Sequence, residues 1–196
     1  MQSKSEAKFD TKDIKIEILG PEHIDLIRGF KSYEKDLVDF LVDDALNNQK
    51  HRVSITYLWI EKSTNKLLCY ITLLCDSLRL SGQLKTFFRT KNILYKSLPA
   101  VKIGRLCVAD RYLQRGLGKL MTDFTIWKVK QLNENPGVGC RFITLDAKRN
   151  VDPKRDSMHF YKKMSFKILR DRMKGTVPMY KDIYKILEYS NSKKKT

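Results

Sequence analysis

Two glycines flanked by cations stand between an apolar segment and a helical pattern. Gly116 and Gly118 lie between Arg115 and Lys119, after an apolar stretch that ends at Val108. Glycines at this spacing let the backbone turn tightly, so that amide N–H groups and the positive end of the following helix point at one anion. The arrangement predicts a phosphate-binding loop, although glycines are also common at ordinary turns.

The length of the chain suits one well-buried domain. It has 196 residues, of which 42% are hydrophobic. We expect a flexible N-terminal tail at residues 1–12, a single domain at residues 13–186 and a basic tail at residues 187–196. No run of eighteen apolar residues occurs, and the polar start lacks the apolar core of a secretory signal. These features predict a cytoplasmic protein that does not enter a membrane.

The spacing of cysteines and histidines argues against a metal centre. The four cysteines contain no CxxC pair; they are Cys69, Cys75, Cys107 and Cys140. Three of them lie in apolar segments, as reduced buried thiols do. The histidines also lack the spacing of metal ligands or of a catalytic triad; they are His23, His51 and His159. We therefore expect neither a disulfide framework nor a bound metal.

Positive charge is concentrated after the first fifty residues. The net charge is +17, with 8 Lys/Arg against 11 Asp/Glu in residues 1–50 and 31 against 11 in residues 51–196. A field of this sign attracts polyanions, so RNA, DNA and a phosphorylated cofactor are all eligible. A lysine-rich composition on a solvated surface gives the same numbers. Both interpretations stay open from composition alone.

The periodicity of apolar residues predicts strands that alternate with helices. The predicted strands are residues 14–18, 54–61, 66–75, 103–108, 142–145, 166–169 and 177–183. The predicted helices lie at residues 24–27, after an N-cap at Ser32, from Leu117 to a stop at Pro136 and Gly137, and at residues 157–164. The apolar face of the long helix is predicted to comprise Leu117, Leu120, Met121, Phe124, Trp127 and Leu132. This order predicts a mixed sheet covered by helices.

Two charged segments allow two interpretations each. Aromatic residues and cations alternate in residues 79–98, which fits an amphipathic helix on a core or a surface that stacks on nucleic acid. The helix after Ser32 carries a row of carboxylates, namely Asp36, Asp39, Asp43 and Asp44. These acids fit a solvated face, and they could also orient a cationic substrate.

Three segments together resemble the acetyl-CoA-binding half of the GNAT superfamily of N-acetyltransferases. They are KIGRLCVADRYLQRGLGKLM, RFITLDAKRN and FYKKMSFKIL, and they occur in the family's order. The resemblance covers roughly residues 20–183 and is strongest in residues 101–169. It implies an α/β (α+β) fold with a central, mixed, mostly antiparallel twisted sheet flanked by helices. It also implies acetyl-CoA as cosubstrate and no metal.

The resemblance assigns roles to particular positions. The backbone of Leu106, Cys107 and Val108 would bind the pantetheine arm. The pyrophosphate would bind to a loop made of Gln114, Arg115, Gly116, Leu117, Gly118 and Lys119. Asn150 would contact the coenzyme, and Tyr161 would protonate the leaving thiolate. From the residues alone, Tyr161 is equally suited to packing against Phe160 and Met164.

Two positions depart from the family pattern, and the general base is not fixed by it. Leu113 stands where the family loop usually begins with Gln or Arg, and the link between Asn150 and Tyr161 is longer than usual. Carboxylates at predicted strand ends are the candidates for the base, namely Asp76, Asp110 and Asp146. Each of them could instead cap a helix or pair with a cation.

The acceptor is suggested by a narrower similarity. FKSYEKDLVDFLVDDAL, followed by GRLCVADRYLQRGLG and FYKKMSF, is similar to the GNAT branch that contains toxins acetylating the amino group of aminoacyl-tRNA. That similarity implies tRNA as a partner, and the resemblance to the wider family implies a second copy of the chain, whereas an antitoxin cannot be inferred from one chain. A small polyamine is a rival acceptor. A non-catalytic module of the same fold, holding nucleic acid on its basic surface, is the rival function.

Overall fold

The computed structural model describes residues 9–135, 137–150, 156–170 and 175–184. Most of the predicted N-terminal tail, the predicted basic tail and Pro136 lie outside these ranges. Part of the link between Asn150 and Tyr161 does too.

Seven strands form one sheet in the order β1-β2-β3-β4-β5-β7-β6. They are β1 (Ile14–Ile18), β2 (Ile55–Glu61), β3 (Leu67–Arg79), β4 (Ser97–Val108), β5 (Phe142–Lys148), β6 (Lys167–Ile168) and β7 (Thr176–Asp182). Strand β2 pairs antiparallel with β1 and β3, and β7 pairs antiparallel with β5 and β6. The mostly antiparallel sheet that the sequence predicted is confirmed.

Helices connect the strands. They are α1 (Ile24–Arg28), α2 (Lys35–Asp39), α3 (Ala45–Lys50), α4 (Gly82–Arg89), α5 (Leu117–Glu134) and α6 (Ser157–Lys163). A π-helical turn, Phe40–Asp44, joins α2 to α3, and single 3-10 turns occur at Thr11–Asp13, Pro21–His23 and Asp110–Tyr112. None of the helices in the described ranges is both long and apolar enough to cross a membrane.

The chain divides into two compact units, each built from two segments. Unit 1 comprises residues 1–74 and 103–124, and unit 2 comprises residues 75–102 and 125–196. The described part of unit 1 contains 13 Lys/Arg and 13 Asp/Glu, a net charge of zero. The described part of unit 2 contains 16 Lys/Arg and 5 Asp/Glu, a net charge of +11. The glycine-containing turn therefore belongs to a unit whose described part is neutral. The division of the sequence at residue 50 had instead placed the turn in the basic part of the chain, residues 51–196.

Unit 1 packs the helical segment from α2 to α3 around Tyr70. The Tyr70 ring is fully buried and lies edge-on to Phe30, with 5.6 Å between the ring centroids. Its hydroxyl donates a 2.5 Å hydrogen bond to the carbonyl of Leu37. Three residues later the helix widens into the π turn, where the amide of Ala45 bonds to the carbonyl of Phe40. Tyr70 thus supplies a donor beside the turn in which the regular helical pattern changes.

Among the predicted boundaries that differ from the structure, those at the starts of α2 and β4 have a local explanation. The helix begins at Lys35 rather than directly after Ser32, because the Ser32 hydroxyl accepts a hydrogen bond from the Glu34 amide inside the preceding loop. Strand β4 begins at Ser97, six residues before its predicted start. It runs through Pro99, whose carbonyl accepts from the amide of Arg141 at 3.2 Å. Proline can occupy a strand where no N–H donor is needed.

The buried face of α5 differs from the one predicted from apolar residues. The buried positions are Leu117, Met121, Thr122, Thr125 and Val129. Trp127 is 50% exposed, and Leu132 is also exposed. Threonines face the core because a helical threonine can satisfy its hydroxyl on its own helix. The Thr122 hydroxyl does so by donating to the carbonyl of Gly118 at 2.9 Å.

Candidate functional site

The connection from β4 to α5 turns through two left-handed residues. The φ angle is +61° at Gln114 and +86° at Gly116. A Cβ atom built on Gly116 would meet no atom within 4 Å. Glycine is therefore favoured at position 116 by the backbone angle, and the space beside it is open. Such an open backbone approach is what a phosphate group requires.

The first turn of α5 presents amide groups to the same place. The hydrogen bond from the amide of Leu120 to the carbonyl of Gly116 is 3.1 Å long and closes the first helical turn. The amides of Leu117, Gly118 and Lys119 precede that bond, so they are the donors that a helix leaves free at its start. No acidic residue lies in this first turn. The helix dipole therefore gives the turn a positive potential.

The two cations of the loop are held by neighbouring side chains. The Lys119 ammonium lies 2.5 Å from a carboxylate oxygen of Asp123, one helical turn further along. The Arg115 guanidinium lies over the ring of Phe9, 4.0 Å from its centroid, and 5.8 Å from the centroid of Tyr112. Phe9 falls in the segment predicted as a tail, and hydrophobic periodicity gave no signal for this contact. Both cations are thus oriented before any anion arrives.

The end of β4 alternates between buried and partly exposed side chains. Cys107 is buried, whereas Leu106 and Val108 are half-buried. Burial raises the pKa of the Cys107 thiol to about 11, against a smaller opposing effect of its hydrogen bond to Ser32. The thiol is therefore protonated at neutral pH and unsuited to nucleophilic chemistry. Any contact of Cys107 with a ligand would come from its backbone.

Asp110 fastens a loop of unit 1 to the end of β4. One of its carboxylate oxygens accepts from the amide of Tyr33 at 3.0 Å, and its own amide donates to the carbonyl of Lys31 at 3.2 Å. These two bonds run in opposite directions between segments 77 residues apart. Asp110 was one of three candidates for a general base, and here it has a structural contact.

The other two candidate bases also have partners. The carboxylate of Asp146 pairs with the ammonium of Lys102 at 2.7 Å. Asp76 accepts from the Thr144 hydroxyl at 2.5 Å and from the amide of Ser77 at 2.8 Å. All three carboxylates therefore make the pairing contacts that the sequence left as their alternative role. None of them stands out as a base on geometric grounds.

Tyr161 is buried in unit 2, on α6. The helix is capped by Asp156, whose side chain accepts from the amide of Met158 at 3.0 Å. The Tyr161 ring lies edge-on to Phe160 and Phe166, with centroid distances of 5.0 and 5.5 Å. Burial raises the pKa of Tyr161 above its ordinary value near 10. The phenol is protonated at neutral pH with or without this shift, and it can donate a hydrogen bond.

Asn150 also lies in unit 2. It follows the last residue of β5 by two positions and is half-buried. Asn150 and Tyr161 belong to unit 2, whereas the glycine-containing loop belongs to unit 1.

The three histidines differ in their exposure to solvent. His23 is buried, with Nδ1 accepting from the amide of Gly20 at 3.0 Å and Nε2 lying 2.8 Å from a carboxylate oxygen of Glu17. His51 and His159 are exposed. Within the described ranges, no group of three or more His, Cys, Asp or Glu side chains could hold a metal ion.

Comparison with known proteins relies on structure. No protein-family model matches the sequence, and neither does any curated protein. A tyrosine-to-phenylalanine variant of KacT matches with a TM-score of 0.72 and 20% identity, covering 90% of this chain and 99% of that one. AtaT in complex with acetyl-methionyl-tRNAfMet matches with a TM-score of 0.70 and 20% identity, covering 91% and 99%. AtaTR bound with acetyl-CoA matches with a TM-score of 0.68 and 22% identity, also covering 91% and 99%.

These matches span nearly the full length of both chains, and the proteins they involve are toxins of the GNAT fold. The sequence identities are low, so the likeness is one of architecture. The chain therefore adopts the GNAT fold, in the form found in the KacT and AtaT toxins.

Proposed function

We propose that this protein is an N-acetyltransferase that transfers the acetyl group of acetyl-CoA to the amino group of an aminoacyl-tRNA. The observation that carries the enzyme part is the turn from β4 into α5. There, Gly116 is left-handed with open space beside it, and the free amides of α5 follow directly.

This turn fits the coenzyme's pyrophosphate. The group is a compact dianion. It binds best where several backbone amides point at one place and no Cβ atom blocks the approach. In the proposal, the amides from Gln114 to Lys119 hold it, and Arg115 supplies an oriented cation. Lys119 also serves, provided that the anion competes with Asp123. The half-buried side chains of Leu106 and Val108 suit the less polar pantetheine arm, which the β4 backbone would bind.

In the proposed chemistry, the protein supplies one proton to the leaving group. Acetyl-CoA would supply the acetyl group as a thioester, and a neutral acceptor amine forms the C–N bond as the C–S bond breaks. Tyr161 is assigned as the acid that gives its phenolic proton to the departing thiolate, and the proton that the acylated nitrogen loses restores the phenol. The phenol carries its proton at neutral pH, as an ordinary tyrosine does, and its raised pKa makes it a weaker acid, so the assignment rests on the resemblance to the family and not on the pKa. Asn150 is assigned a contact with the coenzyme.

Two observations support tRNA as the acceptor-bearing molecule. The described part of unit 2 carries a net charge of +11, which suits a polyanionic partner. AtaT, one of the proteins of the same fold, has been captured with acetyl-methionyl-tRNAfMet. Another AtaT structure contains the C-terminus of the antitoxin AtaR together with acetyl-CoA. By analogy we include an antitoxin and a second copy of the chain among the proposed partners.

The test follows radiolabelled acetyl from acetyl-CoA in the presence of total charged tRNA, with a protein extract and a polyamine in parallel. Label on aminoacyl-tRNA is the expected result. Tyr161→Phe should lower the rate by about 100-fold or more while leaving acetyl-CoA affinity intact. Tyr180→Phe, which removes a phenol from β7 of the same unit, is the matched control and should retain the rate. Label on proteins or polyamines instead would refute the tRNA acceptor.

A non-catalytic module that binds nucleic acid is the second candidate, and the charge of unit 2 favours it. It needs neither the left-handed glycine turn nor Tyr161. Under this alternative, no label is transferred to any acceptor and Tyr161→Phe changes nothing. Undetectable acetyl-CoA binding by calorimetry would decide for the module and against the enzyme.

A further inference from the structure

The segment between β3 and β4 is rich in cations and free of acids. No Asp or Glu occurs between Asp76 and Asp110, and the same stretch contains seven Lys/Arg. Five of these cations lie in unit 2 with exposed side chains: Arg79, Lys85, Arg89, Lys91 and Lys96. We call these five, together with Leu94 and Tyr95, the basic patch.

Hydrogen bonds and ring contacts bring members of the basic patch together. Lys85 and Arg89 are one turn apart on α4 and therefore share a face. The Lys91 ammonium lies over the ring of Phe87, 5.2 Å from its centroid. The amide of Leu80 donates to the carbonyl of Lys96 at 2.9 Å, which sets Lys96 beside the residue that follows Arg79. The cations thus come from one folded structure and not from a loose loop.

The tip of this segment exposes two large side chains. Leu94 and Tyr95 are each 73% exposed, the highest values among the exposed large hydrophobic residues in the described ranges. The chain before them is fixed, because the amide of Ile93 donates to the carbonyl of Phe88 at 3.0 Å and Asn92 adopts a left-handed φ of +57°. An aromatic ring held outward among cations is the arrangement on which nucleic acid bases stack.

The same features carry a cost that a partner would remove. Like charges four residues apart on a helix repel each other, as Lys85 and Arg89 do. No carboxylate from the segment itself offsets them. A polyanion that also carries flat rings would satisfy both the unpaired charge and the exposed Tyr95 ring.

The apolar side of α4 is already used, which argues against a membrane partner. Phe88 is buried in a cluster with Leu78, Leu80 and Phe142, and Leu84 and Phe87 pack against the same cluster. The face that an interfacial helix would insert into lipid is therefore turned into the core. Only the Leu94–Tyr95 tip remains, which suits a base better than a bilayer.

We infer that the basic patch binds single-stranded RNA, with Tyr95 stacking on a base and the surrounding cations contacting phosphates. This inference rests on the proposed function to the extent that the RNA is identified with the single-stranded end of an aminoacyl-tRNA.

The first test measures binding of a fluorescein-labelled, unstructured RNA oligonucleotide by anisotropy across a salt series. Tyr95→Ala should weaken binding by about tenfold, and Tyr95→Trp should restore it, because stacking needs a ring and not a hydroxyl. The double variant Lys91→Gln/Lys96→Gln should lower the slope of log affinity against log salt by about 1.4. Lys50→Gln/Lys66→Gln removes two exposed lysines from unit 1 and should leave the slope unchanged.

Three results would overturn the inference. RNA binding that is weakened by Trp127→Ala and not by Tyr95→Ala would assign the stacking ring to α5, where the Lys128 ammonium lies 5.2 Å from the centroid of the Trp127 ring. Equal slopes for the two lysine double variants would show that the patch has no special part. Binding of the wild type to anionic vesicles, lost in Tyr95→Ala while RNA binding is kept, would assign the patch to a membrane.

A second measurement separates this inference from the proposed function. If the protein acetylates aminoacyl-tRNA, Tyr95→Ala should raise KM for that substrate about tenfold with little change in kcat. Acetyl transfer with an unchanged KM in every patch variant would refute the patch and leave the function standing. RNA binding that depends on Tyr95, in a protein that never labels aminoacyl-tRNA, would refute the function and leave the patch standing.

Discussion

At the scale of single residues, backbone angle and burial decide what each group can do. Glycine is favoured at position 116 by its φ of +86° and not by a lack of space, because a Cβ atom there would meet no atom within 4 Å. Gly118, two positions on, lies inside α5. Cys107 and Tyr161 are chemically reactive types, and burial raises the pKa of each side chain, which makes each a weaker acid. The residue names alone do not distinguish these cases.

The two glycines should respond differently to alanine. Gly116→Ala should destabilise the protein by about 1–2 kcal/mol, because an L-residue at this φ is strained, and should weaken acetyl-CoA binding. Gly118→Ala should leave stability unchanged or raise it by about 0.5–1 kcal/mol, because alanine favours a helix. Urea unfolding and calorimetric titration with acetyl-CoA measure the two effects. Equal destabilisation by both substitutions would contradict the assignment.

Burial of the Cys107 thiol should make stability fall at alkaline pH. Its pKa is raised from 9.0 to about 11, so the folded state holds the proton more tightly than the unfolded state. This contribution is complete below pH 9 and is lost as the pH rises towards 11, by roughly 2–3 kcal/mol. Cys107→Ala should show a shallower loss in urea midpoints over that range. Cys75→Ala, at an exposed cysteine, is the control and should follow the wild type.

At the scale of elements, contacts across the fold determine which face of a helix is buried. The large apolar residues of α5 predicted a face that includes Trp127 and Leu132, yet both are exposed. The buried face instead passes through Thr125, which is fully covered. Periodicity correctly located α5 and its start at Leu117. It could not choose between neighbouring faces, because that choice depends on what packs against the helix.

Two alanine substitutions on α5 test this face. Met121→Ala removes a fully buried side chain and should cost about 2–5 kcal/mol of unfolding free energy. Leu132→Ala removes a side chain that the sequence pattern ranks as equally important, and it should cost less than about 1 kcal/mol. Urea denaturation followed by circular dichroism compares them. A larger loss for Leu132→Ala would favour the face predicted from the pattern.

At the scale of the whole molecule, charge is divided between the two compact units. The described part of unit 1 is neutral, although it includes the turn into α5, and the described part of unit 2 carries +11. Coenzyme binding in the proposal therefore depends mainly on amides and a few oriented cations. Polynucleotide binding depends on many cations.

Salt should separate the two kinds of binding. Raising monovalent salt from about 50 to about 200 mM should weaken the binding of tRNA that carries no amino acid by at least about tenfold, because counterion release drives that binding. Acetyl-CoA binding should weaken by less than about threefold over the same range, because neutral amide donors supply most of it. Anisotropy and calorimetry give the two affinities. A steeper salt dependence for acetyl-CoA than for tRNA would contradict the division of roles.

The sequence by itself determined the local features. The spacing of Gly116 and Gly118 after a strand predicted the turn, and the order of strands and helices predicted a mixed sheet covered by helices. The GNAT fold itself was implied by the resemblance of three segments to that superfamily. These predictions succeeded because glycine conformation and apolar periodicity act over a few neighbouring residues.

Only the tertiary structure decided burial, pairing and the distribution of charge. It tied Asp110 to the loop at Tyr33, placed Phe9 under Arg115, and left Tyr95 exposed while burying Phe88. Each of these facts depends on which distant segments meet. The pattern of residues within one segment does not specify those contacts. Residue type and local conformation follow from neighbouring residues. The burial, pairing and electrostatic environment of each side chain follow from contacts between residues far apart in the chain.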